Sequence, residues 1–148
     1  MDRMKRKPVA PMSVGHQMEL GIAVPSGLRM GEVHREEFVV GGRTDGFVDA
    51  YHGTTLFALT SILRDGHLKN SAEDHRPAGV YVTPLLQLAK ESYTDPKDTI
   101  RVVVEVIVPD PSWSPHLRLW HKSDKRNKQW LFDQSDVRIS AIIFIGGE

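Results

Sequence analysis

The residues best suited to chemistry form the run Tyr-His-Gly-Thr-Thr at positions 51–55. A glycine lets a ligand come close to the backbone and offers it an N–H donor and a C=O acceptor. Histidine can donate or accept hydrogen bonds near neutral pH, and threonine adds a hydroxyl. Such a group suits the binding of a polar small molecule. Three residues of this kind also recur by chance, so the alternative is a strand end with a satisfied histidine and a helix cap.

The flanking residues predict the elements that would position this run. Residues 47–52 are β-forming and follow a Thr-Asp-Gly turn signal, so they predict a short strand. A helix is predicted next, with Thr54 or Thr55 as its N-cap and Gly66 as its left-handed C-cap. Its apolar face consists of residues that recur at helical spacing: Leu56, Leu59, Ile62 and Leu63.

The rest of the chain alternates between strand, helix and loop signals. Residues 79–82 predict a strand, and Thr83 followed by proline predicts the cap of a second helix. The nearly continuous apolar run 99–108 predicts a strand buried on both faces. The other predictions are an irregular segment over residues 112–128, strands over residues 129–132 and 139–145, and either a helix or a strand over residues 32–40. This order predicts an α+β domain and argues against a doubly wound parallel sheet.

Five features in chain order carry a resemblance to a known family. They are the run at 51–55, the helix ending at Gly66, the pair Leu68 and Ser71, the strand 79–83 with Tyr81, and the helix with Ala89 and Tyr93. Together they resemble the ADP-ribosyltransferase superfamily, in the branch with a His-Tyr-Glu triad that includes the poly(ADP-ribose) polymerases. The resemblance covers residues 47–93 and extends loosely to the C-terminus. It implies an ADP-ribosyltransferase-like split β-sheet core with two short helices.

The resemblance assigns roles to five residues around a bound NAD, which would be the substrate. His52 would bond the nicotinamide ribose, Gly53 would hold the carboxamide through its backbone, and Thr54 would support that contact. Tyr81 would be the triad tyrosine, and Tyr93 would stack on the nicotinamide ring. Aromatic faces suit a flat, partly cationic ring, and a carboxamide suits paired backbone hydrogen bonds. The alternative is that both tyrosines are core aromatics.

The chain departs from the family at the third triad position. The family glutamate should stand at the start of the penultimate strand, where this sequence has Lys128 and Gln129. Gln129, which would complete the catalytic set with His52 and Tyr81, can bond a ribose hydroxyl but cannot act as a general base. The departure therefore argues against polymer synthesis. It leaves a mono-ADP-ribosyltransferase acting on a protein or nucleic acid, an inactive NAD- or ADP-ribose-binding or protein-interaction module, and, as a weaker alternative, an RNA 2′-phosphotransferase-like enzyme.

Other conspicuous residues favour structural interpretations. Glu105 interrupts the apolar run 99–108, and burying it unpaired would be costly, so it is predicted to lie near solvent at an edge. The basic run 122–128 lies among three tryptophans, a combination that can bind nucleic acid, but a solvated loop is favoured. The seven histidines show no metal-ligand spacing, so no metal is predicted.

Composition bounds the class of protein. The 19 basic and 19 acidic residues cancel, so net charge does not indicate a polyanionic partner. The absence of cysteine excludes disulfides, thiolate metal sites and cysteine nucleophiles. No apolar run is long enough to span a bilayer, and the basic N-terminus lacks the apolar stretch of a secretory signal. We therefore expect an intracellular protein, cytoplasmic or nuclear, with no membrane partner. Its length predicts a single domain over residues 31–148, preceded by an arm over residues 1–30 that is flexible or wraps the domain.

Overall fold

The computed structural model describes residues 24–38, 46–71, 78–111, 118–121 and 128–147. Most of the arm predicted over residues 1–30 lies outside them. In chain order the elements are β1 (Val33–Glu37), β2 (Phe47–Thr54), α1 (Leu56–Asp65), β3 (Val80–Val82), α2 (Leu86–Ser92), β4 (Ile100–Pro109), β5 (Arg118–His121), β6 (Lys128–Phe132) and β7 (Arg138–Gly146), with a 3₁₀ turn (Gln134–Asp136) before β7. None of the helices in these ranges is long and apolar enough to cross a membrane.

The strands form two antiparallel sheets. The larger sheet has the order β1–β7–β4–β2, and the smaller has the order β3–β6–β5. β2 is therefore an edge strand of the larger sheet, and β3 is an edge strand of the smaller one. An antiparallel bridge between Tyr51 and Thr83 joins these two edges. The predicted α+β class is confirmed by the two antiparallel sheets and the two helices.

β4 lies inside the larger sheet and is buried on both faces, which confirms the prediction from its apolar run. On one face its even-numbered valines pack with α1 and with β3 and β6 of the smaller sheet. On the other face Val103 packs with Ala89 of α2 and Ile143 of β7, and Tyr51 and Tyr93 lie against this group. The two helices therefore cover opposite faces of the larger sheet.

α1 begins and ends where the sequence predicts. The Thr55 hydroxyl accepts the Ala58 N–H at 3.0 Å and so caps the first turn. Gly66 has a φ of 82°, and its N–H donates to the Ile62 carbonyl at 2.9 Å. Glycine adopts this left-handed conformation without the strain of a side chain. The other candidate cap, Thr54, is the last residue of β2.

The predicted start of α2 is wrong. Thr83 is fully buried, and its N–H and C=O pair with Tyr51 across the bridge instead of opening a helix. Its hydroxyl accepts the Leu85 N–H at 3.2 Å. The helix begins at Leu86, and Leu85 provides no side-chain cap. A helix that started at Pro84 would use the Thr83 carbonyl for its first hydrogen bond, but this carbonyl accepts the Tyr51 N–H instead.

In two other segments, strand pairing decides the structure. The segment 32–40, which fits a helix or a strand in the sequence, contains the strand β1, paired with β7. The prediction that residues 112–128 are irregular is wrong at residues 118–121, which form β5 against β6. The partner of β1 lies far along the chain, so local signals are weak there, whereas β5 pairs with the strand that follows it.

The prediction that Glu105 lies near solvent at an edge is also wrong. Glu105 is on β4, inside the larger sheet, and is 9% exposed. Its carboxylate accepts two hydrogen bonds from Arg35 of β1, from Nε at 3.1 Å and from Nη2 at 2.9 Å. The bidentate guanidinium compensates the buried charge. Hydrogen bonding to Glu105 in turn raises the pKa of Arg35 above its ordinary value.

Candidate functional site

The backbone groups of β2 alternate between its partner strand β4 and the open edge. The Gly46 carbonyl, just before β2, accepts the Asp110 N–H at 2.7 Å, so even-numbered residues bond on the β4 side. On the opposite side, the N–H and C=O of Tyr51 bond to Thr83 at 2.8 and 2.9 Å. Alternation along a strand places the N–H and C=O of Gly53 on this same side, facing away from β4.

The pairing between β2 and β3 does not continue past Tyr51 and Thr83. Beyond this bridge lies a gap between the Gly53 edge of β2 and the Tyr81 edge of β3, which we call the split. His52 reaches across it, and its Nδ1 donates to the Tyr81 carbonyl at 2.8 Å. Among the described residues, none bonds to the N–H or the C=O of Gly53. The split therefore presents an unused donor and acceptor beside a histidine.

The protonation state of His52 follows from its surroundings. Burial lowers the pKa of its imidazole below the ordinary value, and the bond to the Tyr81 carbonyl opposes this effect. The ring is therefore neutral at neutral pH. A carbonyl can only accept, so the single ring hydrogen lies on Nδ1 and leaves Nε2 as an acceptor. His52 thus offers a lone pair to a hydroxyl bound nearby.

Acidification is expected to destabilise the protein through His52. Its folded-state pKa lies below the unfolded value of about 6.5, so its contribution to stability is fully present above that pH. The contribution is lost as the pH falls through the lowered pKa. Ring carbon shifts in NMR should titrate below pH 6.5 and show the Nδ1–H tautomer at neutral pH. A His52→Gln variant should lack this part of the pH dependence of unfolding. A ring that titrates above pH 6.5 contradicts the expectation.

Gly53 is enclosed on one side by the end of α2. A Cβ built on Gly53 would lie 2.6 Å from Tyr93 Cβ, 2.7 Å from the Tyr93 carbonyl oxygen and 2.8 Å from the Ala89 carbonyl oxygen. These distances are too short for any side chain at position 53. The structure thus brings Tyr93 against the glycine, and packing alone already requires a glycine there.

Tyr81 and Gln129 share one face of the smaller sheet. Tyr81 pairs with Leu131 of β6, and Gln129 lies two residues before Leu131, so its side chain is on the same face. Tyr81 is half-buried, whereas Gln129 is only 4% exposed. The three predicted catalytic residues therefore lie on β2, β3 and β6, and the hydrogen bond from His52 to the Tyr81 carbonyl joins the first two of these strands. Lys128, the other candidate, begins β6.

Thr54 lies at the end of β2, half-buried and paired with Val102. Its side chain lies on the His52 face of the strand. Three residues that shape the split were not assigned roles from the sequence: Tyr51 and Thr83, which end the pairing, and Ala89, which faces Gly53. No local signal identifies a bridge between residues 32 positions apart. The small size of Ala89, where α2 approaches β2, is the one sequence feature that agrees with its position.

No family model matches this chain, and no curated protein matches it significantly. The ADP-ribosyltransferase resemblance therefore stays a prediction.

Two hollows in the protein surface lie next to β2. A depression of about 660 Å³ is lined by Thr55, Leu56, Phe57, Asp98, Thr99 and Ile100, and it begins two residues beyond Gly53. A smaller hollow of about 160 Å³ lies beside the pair formed by Arg35 and Glu105. Among the described residues that line the larger one, Asp98 is acidic and none is basic. Within the described ranges, no three His, Cys, Asp or Glu side chains come together as metal ligands.

The polar groups that border the split are complementary to those of a small planar amide. These groups are one backbone donor and one backbone acceptor from Gly53 and one imidazole acceptor from His52. The aromatic residues beside the split are Tyr81 on the β3 side and Tyr93 on the α2 side. A carboxamide carries one carbonyl acceptor and one NH₂ donor, so it matches the Gly53 pair.

Proposed function

We propose that this domain binds NAD at the split and transfers ADP-ribose to a macromolecular acceptor, with release of nicotinamide, as a mono-ADP-ribosyltransferase-like protein. The observation that carries the proposal is the N–H and C=O of Gly53 on an unpaired strand edge. These groups are complementary to the carboxamide of nicotinamide. The motif at residues 51–55 and its resemblance to the ADP-ribosyltransferases agree with this assignment.

The other residues of the split would orient the remainder of the nicotinamide riboside. Nε2 of His52 is an acceptor in the neutral ring and suits a ribose hydroxyl. Tyr81 and Tyr93 provide aromatic faces for the pyridinium ring. Orientation of this kind is the main contribution that a protein makes when the bond to the leaving group is already weak.

The transfer breaks the bond between the ribose anomeric carbon and the pyridinium nitrogen. The bonding electron pair leaves with nicotinamide, which becomes neutral, and a lone pair of the acceptor forms the new bond to the same carbon. Gln129 cannot take a proton from the acceptor because an amide is not a base at neutral pH. The acceptor therefore loses its proton to solvent or is already an anion.

The burial of Gln129 favours a second candidate function, an inactive domain that binds NAD or ADP-ribose. An amide that is 4% exposed stands where the resemblance implies a glutamate. Such a domain would keep the Gly53 groups for the carboxamide and lack the carboxylate that assists transfer.

Incubation with NAD labelled in its adenylate part separates the two functions, with nicotinamide release and self-labelling as readouts. Slow release is expected from the wild type, and Gln129→Glu should increase it on the order of 100-fold, the lower end of what a general base contributes. Gln134→Glu is the matched control, since it makes the same change in the 3₁₀ turn after β6. Absence of release from both wild type and Gln129→Glu contradicts transfer, and tight binding without release supports the inactive domain.

A further inference from the structure

We propose that His52 is a positioning residue that holds the split open, because its Nδ1–H binds the Tyr81 carbonyl that would otherwise pair with Gly53. This inference deepens the proposed function and rests on it for its consequences for ligand binding. The role of His52 in holding the split open is a property of the protein without a ligand.

The register of β2 and β3 indicates which residues would pair if His52 were absent. Tyr51 and Thr83 exchange two backbone hydrogen bonds, of 2.8 and 2.9 Å. In an antiparallel ladder the next pair of this kind lies two residues further along each strand. Here that pair would be Gly53 with Tyr81. The groups of both residues lie on the facing edges, so the ladder is aligned to continue.

The imidazole of His52 takes the place of that next pair. It belongs to the residue between Tyr51 and Gly53, and its Nδ1 lies 2.8 Å from the Tyr81 oxygen. The ring therefore lies against the backbone of β3 where β2 would have to approach to about 4.8 Å. The His52 ring already donates a hydrogen bond to the Tyr81 carbonyl, so a strand pair formed by closing the split would add less stabilising free energy. The pairing accordingly ends at Tyr51 and Thr83.

A bound carboxamide would use the same Gly53 groups that the missing strand pair would use. Closing the split and binding an amide are therefore competing events at Gly53. It follows that His52 affects binding of the carboxamide even when the ligand has no ribose. Loss of the Nδ1 bond should weaken binding of nicotinamide itself, whereas a role limited to the ribose hydroxyl affects only the nucleotide.

The first test uses the free protein with ¹⁵N-glycine and measures hydrogen exchange at the Gly53 amide. His52→Asn is the matched control, because the Asn side-chain nitrogen occupies the position of Nδ1 and nothing replaces Nε2. His52→Val and His52→Ala remove the donor, and either one serves if the other fails to fold. Gly53 should exchange rapidly in the wild type and in His52→Asn, and at least about tenfold more slowly in the variants without a donor. Equal exchange in all folded variants, or a protected Gly53 in the wild type, overturns the proposal.

The second test measures the affinity for nicotinamide alone by calorimetry. His52→Val and His52→Ala should bind nicotinamide at least about tenfold more weakly than the wild type, the effect of one hydrogen-bonded pair, and His52→Asn should recover most of that loss. Unchanged affinity in the variants without a donor overturns the proposal. If no variant binds nicotinamide but Gly53 exchange follows the expected pattern, the proposed function fails and the role of His52 in holding the split open is supported. If nicotinamide binds but hydrogen exchange at Gly53 does not follow the expected pattern, the proposed ligand is supported and the role of His52 in holding the split open is contradicted.

Discussion

Gly53→Ala is expected to destabilise the domain and to abolish ligand binding at the split. The added Cβ would lie 2.7 and 2.8 Å from two backbone carbonyl oxygens at the end of α2, those of Tyr93 and Ala89. Backbone atoms cannot rotate away as a side chain can, so α2 must shift. Overpacking of this kind costs about 1–3 kcal/mol, which lowers the melting temperature by several degrees.

The same shift would move Tyr93 relative to the Gly53 edge, so affinity for nicotinamide should be lost together with stability. Thermal unfolding and calorimetry measure the two effects. Thr54→Ala, at the next residue of β2, which is also half-buried, is the control for stability only, because Thr54 is itself predicted to support the carboxamide contact. Tyr93→Gly added to Gly53→Ala removes one of the three close contacts and leaves both carbonyl oxygens, so it should not restore stability. A Gly53→Ala protein with unchanged melting temperature and affinity contradicts this packing of α2 against β2.

The features that could be predicted from the sequence are those that depend on residues close together in the chain. The caps of α1, Thr55 and Gly66, satisfy backbone groups of their own helix, so their residue types identify the ends of the helix. The apolar run of β4 indicates burial on both faces whatever its neighbours are. The residue types at 51–55 indicate a polar ligand site for the same reason, since glycine and histidine have these properties wherever they stand.

What could not be predicted depends on partners far along the chain. Thr83 has the local signature of a helix cap, but its backbone pairs with Tyr51, 32 residues earlier. Position 53 needs a glycine because Tyr93, 40 residues later, lies against it. The bond from His52 to Tyr81, which defines the split, requires two strands from different sheets. The residue types of the candidate site can be read from the sequence, whereas the gap between β2 and β3 beside them cannot.

Removing the guanidinium that faces Glu105 should destabilise the domain without changing a residue of the split. In Arg35→Ala, the Glu105 carboxylate would stay inside the sheet, with its side chain 11% exposed, and would lose both hydrogen bonds from Arg35. Breaking a fully buried ion pair costs about 3–5 kcal/mol. The Arg35 side chain is 40% exposed, so solvent screens the pair and a cost of about 1–3 kcal/mol is expected.

A double-mutant cycle with Glu105→Gln tests whether the cost comes from the stranded charge. Arg35→Ala should be much less costly in the Glu105→Gln background, since the neutral amide leaves no buried charge there. Glu37→Gln is the matched control, because Glu37 also bonds Arg35 but its side chain is 61% exposed, and it should change stability by less than about 0.5 kcal/mol.

Urea unfolding of the wild type, the two single variants and the double variant at pH 7 measures this cycle. If Arg35→Ala costs as much in the Glu105→Gln background as in the wild type, lost packing of the Arg35 stem, and not the unpaired charge of Glu105, causes the destabilisation.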